Sequence, residues 1–586
     1  MSTLAPLNMM QRRTGKSSAH IAPPTPGLPP SHIMASSDKA PSRLQQRTLG
    51  LPNRIWLILS FFLFIFIFTK LVLPSHTTDA SYYLRSHSQS YIASLKPTNY
   101  LNISEEHGDN PFAFCPTFGE GDTLSNKYGS LTISQSWLHL GSGARVQKVI
   151  HKALLGQPVT VSVIGGSVSA CHGAGDDPIS SDCYPSRFFD WWNTVFPHPA
   201  SELTNGAMRR TNSEYFSFCN AHHLPDYADL VIIELDTDDK PDRSTLDNFE
   251  LLVRSILLRP DSPAVVILGH FSPQVHQQSG FSGPDTWHGV VAQFYDVPHI
   301  SSKAALYGPY MSSPASTQLY FADPILASPA GHGLLADMLI AYIQSQICIT
   351  WSAVTGSGAS LPVYYALGGG PEQVKQPTDA RKLFGGKGFR KGELDEGEDE
   401  MDEARHPALG SPKLAAHFKV PPSRIGTRPD DLRSRTHEEV APTCVSANDL
   451  VNPLPPSLFY GSGWQAHHPP AVSASAAAAN SAAHYWYSTL PTSRLRIPLT
   501  VGAGEIGVYY IREAKGQGGS SVACWVDDNY EGHATISNVG DGAEIEPTLH
   551  IIDQFVAKGS HYVECELLGD EGQTVPPFKI IGVFTT

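Results

Sequence analysis

Short apolar runs alternate with amphipathic stretches between about residues 136 and 348. Three of the runs, 159–164, 229–235 and 264–268, are apolar almost throughout, which indicates strands buried on both faces of a parallel sheet. Residues 245–258 and 333–347 instead carry apolar side chains at helical spacing. Strands that alternate with helices predict a three-layer α/β/α domain.

The pattern changes to all-β from about residue 443 onward. Residues 562–567 alternate polar and apolar positions with a period of two, and glycine-rich turns separate the runs. A β-sandwich, jelly-roll-like, is therefore predicted. Cys524 and Cys565 fall in the middle of two strands, which allows a cross-strand disulfide without fixing the pairing. The predicted strands are 494–501, 507–511, 521–526, 550–555, 561–567 and 578–584.

Residues 55–73 form an apolar run interrupted only by Ser60, Thr69 and Lys70. At 1.5 Å per residue this length crosses a bilayer core of about 30 Å. Roughly fifty residues precede the run, which favours an uncleaved transmembrane helix over a secretory signal peptide. Asp38 is the single acid among many basic residues before it, so we expect a cytosolic tail and a type II membrane protein of the secretory pathway (Golgi, endoplasmic reticulum or cell surface) with lumenal C-terminal domains.

These patterns together predict one organisation for the chain of 586 residues. A dense charge run at 392–405 indicates a solvated linker between the two folded domains. The predicted parts are a disordered cytosolic tail (1–54), a transmembrane helix (55–73), a lumenal stem (74–130), the α/β/α domain (131–350), a disordered acidic linker (351–442) and the β-sandwich (443–586).

Composition narrows the possible partners. The net charge of −14 argues against nucleic acid as a partner. All eight cysteines follow residue 73, in a space that permits disulfides, and no Cys-x-x-Cys pair points to a metal. We therefore expect no metal and no cofactor. Asn102 begins an Asn-Ile-Ser sequon, which makes it a candidate glycosylation site in the stem.

The candidate chemistry begins at Ser167, which directly follows Gly165 and Gly166 at the end of the first buried strand. Open α/β sheets hold their ligands at the carboxyl ends of strands, so a serine here is a candidate nucleophile. The alternative is an ordinary strand-to-loop junction, because Gly-Gly-Ser alone is common.

Three later segments favour acyl transfer, which needs a nucleophile, a base, a group that orients the base and donors for the oxyanion. An Asn-Gly-Ala block places Gly206 where an unobstructed amide can serve as a donor. An acidic block, 234–239, follows the second strand, and Asp323 to His332 precedes the second helix.

The order and spacing of these blocks resemble the SGNH hydrolase superfamily, also called GDSL-type esterases, and are most similar to its fungal membrane-anchored, capsule-associated branch. The C-terminal Cys-Trp-Val-Asp-Asp stretch at 524–528 also resembles that branch. The resemblance covers roughly residues 112–348 and 443–586. The matching text is GGSVS (165–169), NGA (205–207), EYFS (214–217), ADLVIIELDTDD (228–239) and the segment 323–337.

The resemblance implies an SGNH-like α/β/α fold and assigns roles to five positions. Ser167 matches the nucleophile, and its own amide and that of Gly206 match two oxyanion donors. Asp238 stands where the family has the third donor, an asparagine. Asp323 matches the catalytic aspartate, and Leu326 stands where the catalytic histidine is expected.

These departures change the chemistry. An ionised carboxylate at Asp238 repels an oxyanion, and it donates only when a raised pKa keeps it protonated. Leu326 can neither take nor return a proton. His332 is a possible substitute base, the alternative being that it caps or packs at the helix start. His172 is a second candidate, with a surface-loop histidine as the alternative, and nearby Asp176 and Asp177 are expected in a solvated turn.

The sequence therefore favours a membrane-anchored lumenal esterase or acyltransferase that acts on acylated glycans, O-acetyl groups included, through Ser167. The substrate class is implied by the resemblance and the secretory location. The alternative is a catalytically inactive protein of the same fold that binds or scaffolds glycans or glycan-synthesising enzymes, because a fold does not fix an activity.

Overall fold

The computed structural model describes residues 47–48, 51–52, 95–102, 110–355, 420–427, 439, 441–455, 460–469, 483–502, 504–542 and 545–586. The chain divides into two compact units, residues 1–77 and residues 78–586. In the first, strands β1 (Arg47–Thr48) and β2 (Leu51–Pro52) form an antiparallel pair. The predicted transmembrane segment, 55–73, and most of the predicted linker lie outside the described residues.

The second unit begins with an α/β domain built on a six-stranded sheet in the order β3-β8-β7-β6-β4-β5. Strands β4 to β8 run parallel, and the edge strand β3 is antiparallel to β8, so the sheet is mixed. The strands are β3 (Trp137–His139), β4 (Thr160–Gly165), β5 (Glu202–Asn205), β6 (Leu230–Glu234), β7 (Ala264–Gly269) and β8 (His299–Ser301).

Helices cover both faces of this sheet, which explains why β4, β6 and β7 are apolar almost throughout. The three predicted strands and both predicted helices are present, with ends shifted by a few residues. The helices are α1 (Thr123–Tyr128), α2 (Ser130–Ser136), α3 (Ala144–Leu154), α4 (Tyr184–Val195), α5 (Ser213–Cys219), α6 (Arg243–Leu257), α7 (Pro273–Ser279), α8 (Asp285–Tyr295), α9 (Lys303–Ser312) and α10 (Pro329–Val354).

Among the described residues, α10 is long and apolar enough to cross a membrane, yet most of it is buried inside the α/β domain. Ser328 caps its first turn by accepting a hydrogen bond from the amide of Gly331, and Pro329 occupies its first position. The helix is therefore a core element, and a disulfide from Cys348 near its end to Cys115 ties it to the preceding segment.

The C-terminal domain is the predicted sandwich of two antiparallel sheets. One sheet has the order β10-β13-β18-β15-β16, and the other has β11-β12-β19-β14-β17 with β9 also paired to β19. Cys524 and Cys565 face each other in neighbouring strands and form a disulfide. The strands are β9 (Thr443–Ser446), β10 (Tyr460–Ser462), β11 (Gln465–His467), β12 (Tyr485–Ser488), β13 (Arg494–Val501), β14 (Ile506–Arg512), β15 (Ser521–Val526), β16 (Ala534–Ser537), β17 (Glu546–Asp553), β18 (Gly559–Leu567) and β19 (Phe578–Thr585).

The core extends beyond the predicted domain limits in two places. Phe112 is buried in the α/β core although the sequence placed it in the stem. In the predicted linker, Val420 and Ile425 pack against the core that α6 helps to form, and Ile425 donates its amide to Glu250. Val420 and Ile425 thus attach this part of the predicted linker to the α/β domain.

We expect Ile232→Ala in β6 to lower the free energy of unfolding by about 2–5 kcal/mol, because the fully buried side chain leaves a cavity in the central strand. Urea unfolding of the full chain measures the loss. The matched control is Leu131→Ala in α2, where the side chain is exposed and the loss should stay below about 1 kcal/mol. Equal losses in both variants would contradict the placement of β6 in the core.

Candidate active site

Ser167 lies directly beyond β4, at the carboxyl edge of the sheet. The strand order reverses between β4 and β6, which is the point where open α/β sheets bind ligands. Gly166 lets the chain pass close to the β6 loop, since a Cβ there would lie 2.0 Å from Asp238 Oδ2. Ser167 itself is 8% exposed. The serine is therefore placed where the sequence predicted it.

Asp238 follows β6 and binds the serine through two hydrogen bonds. Its Oδ2 accepts from the Ser167 amide at 3.0 Å, and its Oδ1 accepts from the Ser167 hydroxyl at 3.1 Å. Thr237 donates its hydroxyl to the same carboxylate at 3.1 Å. The carboxylate thus engages both the amide and the hydroxyl of Ser167.

The charge of this carboxylate depends on pH. Burial raises the pKa of Asp238 to about 6 and the charge of Asp239 adds to the rise, while the hydrogen bonds from Ser167 and Thr237 oppose it. The group is half-buried. Above that pKa it is an anion that accepts from Ser167, and below it one oxygen carries a proton that can be donated.

The amide and the carbonyl of Gly206 are both engaged in hydrogen bonds away from Ser167. Its amide donates to the carbonyl of Val163 at 2.9 Å within the sheet, and its carbonyl accepts from His223 Nδ1 at 2.9 Å. The expectation that Gly206 donates to the oxyanion does not fit this geometry, because sheet pairing already uses the amide. The amide of Arg210 instead donates to Ser167 Oγ at 2.9 Å, a contact that no sequence motif indicated.

Asp323 is used by its own turn. Its Oδ1 accepts from the amides of Ile325 at 2.8 Å and Leu326 at 2.7 Å, and the residue is exposed. Leu326 is half-buried and packs against the α/β core. At the two positions where the family has its catalytic aspartate and histidine, this chain therefore has Asp323, which closes its own turn, and Leu326, which packs against the core.

His332 lies in the first turn of α10 and is fully buried. Its Nδ1 accepts from the amide of Tyr184 at 3.3 Å, and its ring stacks on the Tyr184 ring with centroids 6.1 Å apart. Burial lowers the pKa of His332 to about 3, so the ring is neutral. These contacts fit packing at the helix start and do not bring His332 into hydrogen-bond contact with Ser167.

His172 is buried rather than on a surface loop, with 6% of its side chain exposed. Its Nδ1 lies 2.8 Å from Asp176 Oδ1, and a carboxylate only accepts, so Nδ1 carries the proton. Burial and the charge of Arg209 lower the pKa of His172. Asp176 is exposed as predicted, but its role in the turn is to hold this imidazole.

A buried histidine that the sequence did not reveal supports the loop carrying Asp238. His288 on α8 donates from Nδ1 to Asp236 and from Nε2 to Asp239, each at 2.8 Å. Its ring stacks on Phe249 with centroids 3.9 Å apart. Burial opposes the charge, but the two carboxylates dominate and raise the pKa of His288 to about 9, so an imidazolium bridges two anions.

The predicted glycosylation site is compatible with modification at the surface, because Asn102 is exposed at the end of a short helical turn. Within the part of the chain that the structure describes, no three His, Cys, Asp or Glu side chains converge as a metal site.

The α/β domain with its switch-point serine and the β-sandwich together define a two-domain architecture. No protein-family model and no curated protein matches the sequence. Among solved structures, the chain is similar to a two-domain esterase (CEX) active on acetylated mannans, co-crystallised with mannopentaose, at a TM-score of 0.50 and 16% identity over 77% of this chain and 97% of that one. At this identity the likeness establishes the fold alone.

Two further solved structures also match the chain. A second structure of the two-domain esterase (CEX) active on acetylated mannans gives a TM-score of 0.49 and 16% identity over 77% of this chain and 98% of that chain. A variant of Axe2, an acetyl-xylooligosaccharide esterase from Geobacillus stearmophilus, gives a TM-score of 0.25 and 18% identity over 32% of this chain and 94% of that chain.

The raised pKa of His288 has a consequence for stability. Its stabilising contribution is fully present below about pH 6.5, the pKa of an unfolded histidine, and is lost as the pH rises through about 9. We expect the stability advantage of the wild type over His288→Gln to shrink by roughly 2–3 kcal/mol between pH 6 and pH 10. Urea unfolding at a series of pH values measures it.

His276→Gln on α7 is the matched control, because His276 bonds only a backbone carbonyl at the surface. This variant removes an imidazole that has no bond to a carboxylate among the described residues, so it controls for the loss of a histidine as such. A His288→Gln difference that stays constant across the range would show that the bridging ring is neutral.

Proposed function

We propose that this protein is a serine esterase or acyltransferase that removes or transfers acyl groups, O-acetyl groups included, on glycans. The single observation that carries the proposal is the position of Ser167 at the switch point between β4 and β6, where its hydroxyl oxygen accepts a hydrogen bond from the Arg210 amide. Support for the substrate class comes from the shared fold of a two-domain esterase active on acetylated mannans. The sequence motifs further favour the capsule-associated branch of the SGNH superfamily.

In the proposed reaction, Ser167 Oγ attacks the ester carbonyl and an oxyanion forms beside the Ser167 amide. Asp238 must first leave that amide or be protonated, because two negative charges cannot share one donor. Protonated Asp238 donates to the oxyanion as the family asparagine would. The site is therefore expected to work best on the acidic side of neutrality.

We also propose that residues 55–73 anchor the protein as a type II membrane protein with both folded domains in the lumen of the secretory pathway. The length of the apolar run and the basic residues before it support this orientation. The eight cysteines form four disulfides, which suits an oxidising compartment.

A second candidate function is a non-catalytic protein that binds or scaffolds glycans. The observation that favours it is that the Asp238 carboxylate already holds both the amide and the hydroxyl of Ser167. Leu326 also replaces the expected histidine. Binding of acetylated oligosaccharides without hydrolysis, unchanged in Ser167→Ala, would support this candidate over the enzyme.

Ser167→Ala should abolish hydrolysis of p-nitrophenyl acetate by the full chain, with at least a ~10²-fold fall in kcat/KM, because the attacking oxygen is removed. Release of p-nitrophenol at pH 5.5 measures the rate. Ser134→Ala, an exposed serine in α2, is the control and should keep wild-type activity. Equal activity in wild type and Ser167→Ala would remove the esterase proposal.

Asp238→Asn should raise kcat/KM at pH 7.5 by up to ~10²–10³-fold, because an amide donates to the oxyanion where the wild type presents an anion. The gain should shrink as the pH falls through about 6, where the wild-type carboxyl becomes protonated. The pH profile of p-nitrophenyl acetate hydrolysis measures both effects, with exposed Asp570→Asn as the control.

A loss of activity in Asp238→Asn at pH 7.5 would contradict this assignment. It would mean that the carboxylate takes the proton of the Ser167 hydroxyl, to which it is bonded, and is needed in its ionised form.

A further inference from the structure

The proposed esterase site lacks an imidazole at Leu326, and the structure offers another one nearby. We propose that His172, oriented by Asp176, is the general base that activates Ser167. The inference rests on the proposed function and adds to it the residue that moves the proton.

The internal geometry of the His172–Asp176 pair suits a base. The Nδ1–H of His172 donates to Asp176 Oδ1 at 2.8 Å, which fixes the tautomer and leaves Nε2 as the acceptor nitrogen. This Nε2 is buried and has no hydrogen-bond partner among the described residues, Ser167 included, so the serine hydroxyl has to turn from Asp238 to reach it. A buried acceptor without a partner is costly, so a proton donor at this position would be favoured.

The backbone places His172 in the same turn as Ser167. Residues 167–172 form one compact turn, in which the His172 amide donates to the Ser167 carbonyl at 3.2 Å. The charges of Arg209 and Arg210 act on the imidazole, and the Arg210 amide bonds Ser167 Oγ at 2.9 Å. Arg210 therefore borders both groups, since its amide bonds the serine hydroxyl and its charge acts on the imidazole.

The same turn packs against the segment that would have carried the family histidine. A Cβ on Gly173 would lie 2.4 Å from the carbonyl oxygen of Ala327 and 3.0 Å from Cβ of Ala322. Ala327 directly follows Leu326, and the Ala322 amide donates to the Leu326 carbonyl at 2.9 Å. The turn that carries His172 therefore borders the altered position through Gly173.

The other buried histidines near this edge are committed elsewhere. His332 uses Nδ1 to accept from the Tyr184 amide. His270 points Nε2 at the carbonyl of Ile325 at 3.2 Å and has no carboxylate on its other nitrogen, Nδ1, among the described residues. Of these three, only His172 has the carboxylate partner that holds a catalytic imidazole in one tautomer.

The step balances without any cofactor. As the substrate carbonyl displaces Asp238, the Ser167 hydroxyl turns to His172, and its proton passes to Nε2 while Oγ bonds the acyl carbon. The carbonyl electron pair moves to the oxyanion. When the oxyanion intermediate re-forms the carbonyl, the bond to the sugar oxygen breaks, and that oxygen takes the proton from His172 Nε2. Water then hydrolyses the acyl-Ser167, with Nε2 again accepting and returning one proton.

With His172 as the base, its protonation sets the acidic limb of the pH profile of activity, and ionisation of Asp238 sets the alkaline limb. The groups that face His172 are Asp176, which favours its charged form, and Arg209 and Arg210, which with burial lower its pKa below 6.5. Falling pH protonates His172 and removes the base, while a pH rising through about 6 ionises Asp238 and removes the oxyanion donor. Activity is therefore expected to fall on both sides of its optimum.

The test compares His172→Gln and Asp176→Asn with a matched pair in the sandwich, where His561 Nδ1 lies 2.7 Å from Asp527. Hydrolysis of p-nitrophenyl acetate by the full chain should fall ~10²–10⁴-fold in His172→Gln. In Asp176→Asn it should fall at least ~10-fold with a displaced acidic limb. His561→Gln and Asp527→Asn should leave the rate and profile unchanged. His270→Gln is a further control variant and should also retain activity.

A second measurement reads the activation of Ser167 without turnover, namely the rate at which a fluorophosphonate labels it. Labelling should slow in His172→Gln in proportion to the loss of hydrolysis. Ser167-dependent hydrolysis that survives His172→Gln would overturn the inference and leave the proposed function standing. If the wild type does not hydrolyse the ester, the proposed function fails, and His172-dependent labelling would then support the inference alone. Absence of labelling as well would overturn both.

Discussion

The close approach of the β4 and β6 loops is the constraint on which the site depends. Gly166 has no side chain, and the space that a Cβ would fill is taken by the carboxylate of Asp238. This approach is possible because β4 and β6 are adjacent parallel strands whose carboxyl ends meet at the switch point. It brings the Ser167 hydroxyl and the Asp238 carboxyl within 3.1 Å of each other, so the charge of that carboxyl decides which hydrogen bonds the serine can make.

The charge of Asp238 is in turn set by its neighbours. Glu234, at the end of β6, is fully buried, and burial together with the charges of Asp238 and Asp236 raises its pKa well above the ordinary value. It is therefore neutral and accepts a hydrogen bond from Ser169. His288 lies between Asp236 and Asp239, and its single positive charge offsets one of their two negative charges. The charge of Asp239 still helps to raise the pKa of Asp238, the carboxylate of this loop that bonds Ser167.

The sequence predicted the elements well because their signals are local. The apolar runs that became β4, β6 and β7 are continuous, and β13 and β15 have the predicted ends. The order of the blocks also located Ser167 and Asp238. What the sequence could not give was which groups face each other across loops. The Gly206 amide is used by Val163, and His288 reaches Asp236 from a helix about fifty residues later in the chain, so neither contact leaves a local pattern.

The β-sandwich has a role that its composition did not reveal, because it braces the helix that supports the site. The Ser213 amide at the start of α5 donates to Asp239 at 2.7 Å, which fixes the carboxylate that His288 also holds. Further along α5, the Tyr215 hydroxyl bonds Ser446 at 2.9 Å, and Cys219 forms a disulfide with Cys444.

Phe218 and Phe584 continue this contact by stacking across the domain boundary, with ring centroids 5.1 Å apart. A shift of the sandwich would therefore pull on α5 and, through Ser213, on the carboxylate pair beneath Asp238. Burial of aromatic side chains and a covalent bond resist such a shift far more strongly than a surface ion pair could. The second domain thereby acts on the geometry around Ser167 whether or not it also contacts a glycan.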